Sequence, residues 1–315
     1  MLFLSIHSSP LGKQGEKDTG GMSTYLRGLA SALGEAGQQV DLVTRAVNPD
    51  EPEFYEISPL VRLINLDDGL GPLTKNELYP HCCHIAEVVE RYYKQNDQKC
   101  SLIFSHYWLS GLVGQILADR WQVPHLVMFH TLGRAKNEAA AGENEPQQRL
   151  QSEAELAQSA DAVITAAISE KKRILSYYNL PSRRVVVIPC GIDRTLFRPL
   201  AEKEAKEKVG AGNEKIILFV GRIEPVKGLD LLLEAAALLP AEDNFSIFIV
   251  GGDETSSGQV AYFKEKAAAL GLSERLLFKG AIRHEELPAF YSAASVTVLP
   301  SFYESFGLVA LESLA

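Results

Sequence analysis

The chain has 315 residues, of which 46% are hydrophobic and 23% are charged, and its formal net charge is -9. This composition is typical of a soluble globular protein, the length suits two α/β domains, and the acidic balance argues against nucleic-acid binding. No apolar run approaches the roughly 20 residues that span a bilayer, so no transmembrane segment is predicted.

The N-terminal segment and the cysteines indicate the cellular compartment in which the protein is expected. Met1–Ile6 is apolar but has no basic leader and no long apolar core, so it predicts a buried strand rather than a signal peptide. The four cysteines have no Cys-x-x-Cys spacing and no clustered histidines. They are expected to be buried or half-buried free thiols in a reducing compartment, and the protein is expected to be cytoplasmic.

The first half of the chain alternates apolar runs with helical periodicity, which predicts a doubly wound α/β sheet. Strands are predicted at Leu2–Ile6, Val40–Thr44, Val61–Leu66, Leu102–Ser105, His125–Phe129 and Asp161–Thr165. Helices are predicted at Met22–Ala36, Leu73–Lys94, Arg149–Ala160 and Ser169–Tyr178. A polar loop is predicted at His7–Thr19, and the Ala-, Gly- and Glu-rich segment Ala135–Pro146 predicts a mobile loop.

Gly20 and Gly21 lie between the polar loop and the first predicted helix. Glycines at this place let a backbone approach a phosphate, although a Gly-Gly pair taken alone is more often turn chemistry. The sequence here is not Gly-x-Gly-x-x-Gly, and no acidic residue stands at the distance that a dinucleotide site requires. A dehydrogenase is therefore disfavoured.

Two histidines stand where predicted strands end. His106 leads into Tyr107 and Trp108, and His130 is followed by Thr131. Ligands of doubly wound sheets bind outside the carboxyl ends of the strands, so both histidines are well placed for a site. A lone histidine at such a place is more often structural.

The second half repeats the strand and helix alternation. Strands are predicted at Ile216–Val220, Phe245–Val250, Leu276–Lys279 and Val296–Leu299, and helices at Lys203–Gly212, Leu229–Leu239, Ser257–Leu270 and Glu285–Ala293. The loop Gly221–Gly228 after the first of these strands carries Arg222 and Lys227. Two cations beside a helix start suit a diphosphate leaving group, whereas either cation alone is more often solvated.

The last stretch places Glu304 in a short loop after a predicted strand. Ser305, Phe306 and Gly307 then open a predicted helix that carries Glu312. Carboxylates accept hydrogen bonds from hydroxyls, and free N–H groups at a helix start favour anions. Two glutamates at this spacing, taken alone, are more often ordinary surface residues.

Taken together, these motifs resemble those of the retaining glycosyltransferases of family 4. The Pro-Ser-x-x-Glu-Ser-Phe-Gly run with Glu312 and the Gly-Arg-x-x-x-x-Lys-Gly loop carry the resemblance. It implies the α/β fold called GT-B, with two Rossmann-like domains facing a cleft. Residues 1–198 would form the acceptor domain and 199–315 the donor domain. Relatives continue beyond this point, so the second domain is expected to be incomplete and the chain truncated.

The resemblance implies transfer of a hexosyl group from a nucleotide diphosphate sugar, UDP-glucose or UDP-N-acetylglucosamine, with retention. No divalent metal or other cofactor is implied. Arg222 and Lys227 would hold the diphosphate, and His130 would hydrogen-bond the transferred sugar near the reacting carbon. Glu304 and the backbone around Ser305–Gly307 would contact the donor sugar. Glu312 would bind the ribose, and Gly20 and Gly21 would approach the phosphate.

The first half is most similar to sucrose-phosphate synthases and to the transferases that begin mycothiol synthesis, which glycosylate phosphorylated sugars or polyols. By this resemblance Lys75, Tyr107, Thr131 and Arg149 would bind an acceptor phosphate. The alternative is two solvated cations, a core tyrosine and a strand-end threonine. Two other functions stay open: a GT-B sugar-nucleotide epimerase and a non-catalytic nucleotide-sugar-binding module. The oligomeric state is not addressed by any pattern.

Overall fold

The computed structural model describes residues 1–11, 20–46, 52–139, 144–252 and 256–315. These residues form two compact units. The first comprises Met1–Leu11, Met22–Glu138 and Asn144–Gly191, and the second is built on Ile192–Ala315. Most of the predicted polar loop His7–Thr19, from residue 12 onward, lies outside the described residues, as do residues 140–143 of the predicted mobile loop.

The first unit is built on an eight-stranded sheet. Its strands are β1 (Leu2–Leu4), β2 (Val40–Arg45), β3 (Phe54–Ser58), β4 (Val61–Leu66), β5 (Ile103–His106), β6 (His125–Met128), β7 (Ala162–Thr165) and β8 (Val185–Val187). The strand order is β3-β4-β2-β1-β5-β6-β7-β8, and every neighbouring pair is parallel except β3 with β4. The predicted parallel sheet is therefore confirmed, with β3 and β8 added at its two edges.

The helices of the first unit connect these strands. They are α1 (Gly21–Glu35), α2 (Lys75–Leu78), α3 (Cys82–Gln95), α4 (Trp108–Trp121), α5 (Gly133–Ala139), α6 (Gln147–Ser159) and α7 (Ile168–Tyr178). The single helix predicted over Leu73–Lys94 is wrong in part, because a 3₁₀ turn at Tyr79–His81 separates α2 from α3. Pro80 in this turn has no N–H for an α-helical hydrogen bond.

The prediction of a mobile loop over Ala135–Pro146 is also wrong in part, because α5 occupies its first residues. Asn137 Oδ1 accepts a 2.7 Å hydrogen bond from the Glu145 amide, and Lys136 forms an ion pair with the Glu145 carboxylate. These side-chain contacts tie α5 to the segment before α6, an arrangement that the Ala-, Gly- and Glu-rich composition does not reveal.

The second unit contains a four-stranded parallel sheet within the described residues. Its strands are β9 (Lys215–Val220), β10 (Phe245–Val250), β11 (Leu276–Gly280) and β12 (Val296–Thr297), in the order β11-β10-β9-β12. Its helices are α8 (Glu202–Val209), α9 (Leu229–Ala236), α10 (Ser257–Ala269), α11 (Leu287–Ala293) and α12 (Leu308–Leu314). The four predicted strands are confirmed, although β12 is shorter than its apolar run because Val298 onward leaves the sheet.

Both faces of the second sheet are covered by apolar side chains. On β9, Phe219 packs in a cluster with residues of α9 and α10, whereas its neighbour Leu218 packs on the other face with residues of α8 and α11. On β10, Ile247 and Phe248 divide in the same way. Successive strand residues point to opposite faces, so burial on both sides requires the continuous apolar runs seen in the sequence.

In each sheet the strand order reverses beside one central strand. β1 lies between β2 and β5, and β9 lies between β10 and β12. Ligands of doubly wound sheets bind outside the carboxyl ends of the strands at such a reversal. The segments that follow β5, β9 and β12 are therefore the places where this fold presents side chains to a ligand.

The structure also shows the state of the cysteines. All four thiols are free: Cys82 is buried, Cys100 and Cys190 are half-buried, and Cys83 is exposed. The predicted burial is thus wrong for Cys83, which follows Cys82 on α3 and so points about 100° away around the helix. Among the described residues no helix is long and apolar enough to cross a membrane.

Candidate functional site

The first cluster of candidate residues begins where β5 and β6 end. Tyr107 has φ 78° and ψ 159°, and His130 has φ 60°, so both depart from ordinary strand geometry. The Tyr107 amide donates a 2.8 Å hydrogen bond to the Met128 carbonyl, which joins the two strand ends. A non-glycine residue in such a region costs on the order of 1–3 kcal/mol, and such residues concentrate at functional sites.

His130 forms a histidine pair with the last residue of β5. His106 Nδ1 lies 2.9 Å from His130 Nε2. Burial lowers the pKa of His130 to about 3 and, together with the nearby His130, lowers the pKa of His106 well below its usual value. Both rings are therefore neutral near pH 7. The Tyr25 ring packs edge-on against His130, with the ring centroids 5.5 Å apart.

Tyr107 is the centre of the four residues predicted to bind an acceptor phosphate. Its ring is buried, with Arg149 Cζ 4.7 Å and Lys75 Nζ 5.7 Å from the ring centroid. Arg149 Nη2 also donates to the Thr131 carbonyl at 2.8 Å and to the Thr131 hydroxyl at 3.0 Å. The structure therefore brings Lys75, Tyr107, Thr131 and Arg149 together, and we call this set the Tyr107 cluster.

Arg149 is held by carboxylates that were not predicted as site residues. It is 1% exposed, its Nε donates to Glu153 at 2.7 Å, and its Nη1 lies 2.9 Å from the Glu145 carboxylate. Burial alone would lower the pKa of Arg149, but Tyr107 and the two carboxylates outweigh burial and raise it. The guanidinium is therefore permanently charged and fixed in orientation.

Glu153 is itself fully anchored. Its carboxylate accepts hydrogen bonds from the Gly133 amide at 2.9 Å and from the Tyr178 hydroxyl at 3.0 Å, besides the bond from Arg149. Glu145 and Glu153 stand four residues before and after Arg149 in the chain. The spacing of four residues places Arg149 and Glu153 on one face of α6 and is the signal that would have identified Glu153, whereas Glu145 lies just before this helix.

The second cluster forms beyond the ends of β9 and β12. Lys227 Nζ donates a 2.7 Å hydrogen bond to Glu304 Oε2, and Arg222 Nη1 lies 2.8 Å from Glu224 Oε1. The side chains of the Lys227 pair are 22% and 34% exposed, so both groups are accessible. The structure thus joins Lys227 to Glu304, while Arg222 is paired with a glutamate of its own loop.

Backbone packing explains how the two loops meet. Gly228 has φ 71°, and a Cβ atom added there would lie 2.1 Å from the Pro300 carbonyl oxygen. The Phe302 amide donates to the Val226 carbonyl at 2.9 Å. Only glycine tolerates both the left-handed backbone and this close approach, so Gly228 sets the distance between Lys227 and Glu304.

Glu312 lies in a different environment from Glu304. It is buried on α12, where its carboxylate accepts a 2.7 Å hydrogen bond from the Tyr291 hydroxyl and lies 3.0 Å from His284 Nε2. Burial, followed by the Glu312 charge, raises the pKa of Tyr291. The carboxylate is therefore fixed in position, and its remaining lone pairs can accept hydrogen bonds from a ligand.

The other predicted donor residues lie in loops or at helix starts. Ser305 and Phe306 belong to the loop that follows Glu304, and Gly307, with φ 86°, is the N-cap of α12. α12 thus begins at Leu308, later than the predicted start. Gly20 precedes α1 and Gly21 is its first residue. Within the described ranges no group of three His, Cys, Asp or Glu side chains could hold a metal ion.

Comparison with known protein families decides the class of the protein. Residues 20–191 match the glycosyl transferase 4-like domain, and residues 201–315 match glycosyl transferases group 1. The chain belongs to the family 4 glycosyltransferases, which have the GT-B fold. It is therefore a glycosyltransferase that acts on a nucleotide sugar, and each cluster is a candidate site within its own unit.

Individual relatives of this glycosyltransferase support the assignment. The D-inositol 3-phosphate glycosyltransferase of Geodermatophilus obscurus is 38% identical over 323 residues, covering 99% of this chain and 72% of the relative. The structure of sucrose-phosphate synthase from Thermosynechococcus elongatus superposes with a TM-score of 0.90 at 32% identity, covering 99% of this chain and 78% of that one. HepE of Anabaena, solved with UDP and glucose, shares the fold at 19% identity and a TM-score of 0.75, with 99% and 77% of the chains covered.

Proposed function

We propose that this glycosyltransferase moves a hexosyl group from a UDP-sugar, UDP-glucose or UDP-N-acetylglucosamine, to a hydroxyl of a phosphorylated sugar or polyol, with retention of configuration. The names of two relatives support the acceptor class. One is a D-inositol 3-phosphate glycosyltransferase and the other a sucrose-phosphate synthase. Both names contain a phosphorylated polyol or sugar. The donor and the retention follow from the family motifs around Arg222, Lys227 and Glu304.

The observation that carries the acceptor proposal is the Tyr107 cluster. Glu145 and Glu153 balance the charge of Arg149. Lys75 lies at the start of α2, beside the Tyr107 ring. A phosphate that binds here would accept hydrogen bonds from Lys75, from the Tyr107 and Thr131 hydroxyls and from Arg149.

On the donor side, Arg222 and Lys227 would hold the diphosphate and stabilise the charge that develops as the glycosidic bond breaks. Binding of the donor diphosphate would require Lys227 to exchange its Glu304 partner for phosphate oxygens. Glu304, released in this way and supported by Ser305, Phe306 and Gly307, would accept hydrogen bonds from the donor sugar. Glu312 would receive the ribose, and Gly20 and Gly21 would approach the phosphate. Two cations in this role make a divalent metal or other cofactor unnecessary.

A mass-spectrometric transfer screen tests this function. It pairs UDP-glucose and UDP-N-acetylglucosamine with fructose 6-phosphate, inositol phosphate and the unphosphorylated forms of both acceptors. A glycosylated product seen only with a phosphorylated acceptor is expected. Equal transfer to the unphosphorylated forms would overturn the acceptor class. An isomerised sugar nucleotide formed without acceptor would replace the transferase proposal with an epimerase.

A variant of Lys75 tests whether the acceptor phosphate binds at the Tyr107 cluster. Lys75→Ala is expected to raise the acceptor KM at least tenfold and to leave the donor KM unchanged, because one charged hydrogen bond is worth about 1.5–3 kcal/mol. Lys94→Ala, which removes an exposed lysine from α3 of the same unit, is the matched control and should change neither constant. A rise in donor KM for Lys75→Ala would contradict the assignment.

A further inference from the structure

His106 is a buried titratable residue that the proposed reaction does not use. It is the last residue of β5 and has no exposed surface. The rings of Phe3 and Phe104 lie beside it, with centroids 5.4 and 4.2 Å from its own. Its Nδ1 atom is 2.9 Å from His130 Nε2, which is hydrogen-bond distance. His106 therefore acts on its surroundings through His130.

One hydrogen atom lies between the two nitrogens. Both rings are neutral, because burial lowers the pKa of each. A neutral imidazole has one N–H and one lone pair, so two arrangements exist. Either His106 Nδ1–H donates to His130 Nε2, or His130 Nε2–H donates to His106 Nδ1.

The environment of the other His106 nitrogen decides between them. His106 Nε2 is fully buried and has no hydrogen-bond partner among the described residues. If His130 were the donor, His106 would have to carry its own hydrogen on Nε2, as a buried N–H without an acceptor. Orphaned buried N–H groups are rare because they lose their hydrogen bond to water without replacement. The hydrogen therefore belongs to His106 Nδ1.

The tautomer of His130 follows directly. With Nε2 as the acceptor, His130 carries its own hydrogen on Nδ1. Neither a hydrogen bond from this nitrogen nor an ion pair to it occurs among the described residues, and the His130 side chain keeps some exposed surface. The Nδ1–H group is thus a donor available to a ligand.

We propose that His106 is a positioning residue that fixes His130 as the Nδ1–H tautomer and so makes His130 a hydrogen-bond donor to an oxygen of the transferred sugar. The sugar contact rests on the proposed function, whereas the tautomer does not. A donor at this place holds the sugar through a hydroxyl or ring oxygen. In this role His130 donates a hydrogen bond from a fixed orientation and does not accept a proton.

Nitrogen-15 NMR of the histidine-labelled protein reads the tautomer without substrate. The seven histidines give few signals, and the signal lost in His130→Gln identifies His130. His130 is expected to show a protonated Nδ1 and an unprotonated Nε2, with no change between pH 6 and pH 8. A protonated Nε2 on His130 would overturn the proposal.

Three variants then connect the tautomer to transfer. His106→Leu removes the donor and is expected to lower kcat about tenfold, the value of one hydrogen bond in the transition state, and to mix the His130 tautomers. His106→Asn keeps a side-chain N–H that can donate to His130 Nε2, and is expected to recover kcat to within about threefold of the parent.

His125→Leu is the matched structural control. His125 is also buried, opens β6 beside β5, and hydrogen-bonds Ser105 and Gln115 rather than His130. Its loss is expected to lower Tm like that of His106, yet to leave kcat and the His130 tautomer unchanged. An equal loss of kcat in both leucine variants would reduce His106 to a packing residue. If NMR shows the expected tautomer but the transfer screen shows no product, the proposed function fails and the sugar contact with it, while the tautomer assignment stands.

Discussion

Lys227 and Glu304 are 77 residues apart in the chain, and a 2.7 Å hydrogen bond joins them at the carboxyl edge of the second sheet. The bond exists because β9 and β12 are neighbours, so that the loops that follow them meet. Both side chains are partly exposed, and pairs of this kind add about 0–1 kcal/mol to stability. The pair therefore contributes little to the stability of the fold, and the binding of a ligand by both groups stays a prediction.

The variant Lys227→Met separates the contribution of Lys227 to catalysis from its contribution to stability. Loss of a cation aimed at the leaving group is expected to lower kcat/KM about 10²–10³-fold, whereas Tm changes little because the ion pair is partly solvated. Steady-state transfer rates and thermal melts measure the two effects. Lys208→Met, which removes the exposed partner of Glu204 on α8, should alter neither. A large fall in Tm with unchanged kcat would show that Lys227 is a structural residue.

Gly228→Ala tests the packing that sets this distance. The added methyl group would meet the Pro300 carbonyl and would also force alanine into a left-handed backbone. Gly210→Ala provides the comparison, because Gly210 has φ 69° but open space around it. Gly210→Ala is expected to cost about 1–2 kcal/mol, and Gly228→Ala about 1–3 kcal/mol more, with a loss of transfer activity. Urea unfolding of both variants measures the difference, and equal values would show that the Pro300 contact relaxes freely.

Arg149→Ala is expected to destabilise the first unit, whatever its effect on the acceptor. It leaves the buried Glu153 carboxylate without its cation, and breaking a buried pair costs about 3–5 kcal/mol. Differential scanning calorimetry should show a fall in Tm of roughly 6–20 °C. Arg149→Ala combined with Glu153→Gln should recover part of this loss, because the unpaired charge is gone. Arg91→Ala, at an exposed position of α3, should leave Tm unchanged.

The variant Glu145→Gln is expected to differ from the parent in stability by an amount that depends on pH. Burial raises the pKa of Glu145, but Arg149 and Lys136 outweigh burial, and the net shift is downward. A carboxylate with a lowered folded pKa stabilises the protein above its unfolded pKa, about 4.3, and this contribution is lost as the pH falls through the folded pKa. The parent should therefore exceed Glu145→Gln in unfolding free energy at pH 7, with the gap closing below about pH 4. Glu155→Gln, which changes an exposed glutamate of α6, should show no such pH dependence, and a gap that stays constant down to pH 3 would contradict the ion-pair account.

The sequence predicted the fold well where a segment is buried on one or both faces. The apolar runs of β9 and β10 are buried on both sides, and both strands were located correctly. β3 was missed because it is an edge strand in which no residue is fully buried. α4 was missed because its residues are buried on most sides, so it has no polar face to mark helical periodicity.

The candidate site was predictable through its charged motifs and less so through their partners. The structure places Lys75, Tyr107, Thr131 and Arg149 close together, and it joins Lys227 to Glu304. Their roles toward substrates stay predictions. Partners such as His106 and Glu153 depend on which strands become neighbours and on which side chain is fully buried. Neither property is visible in a local stretch of sequence.

The hydrogen bond from the Tyr107 amide to the Met128 carbonyl limits which kinds of mutation this enzyme can tolerate. It couples the turn after β5 to the turn after β6, so that an inserted or deleted residue in either turn would displace side chains in both. New acceptor preferences should therefore arise in this protein through exchange of single side chains at fixed backbone length. Libraries that vary the length of these turns should yield mostly inactive proteins.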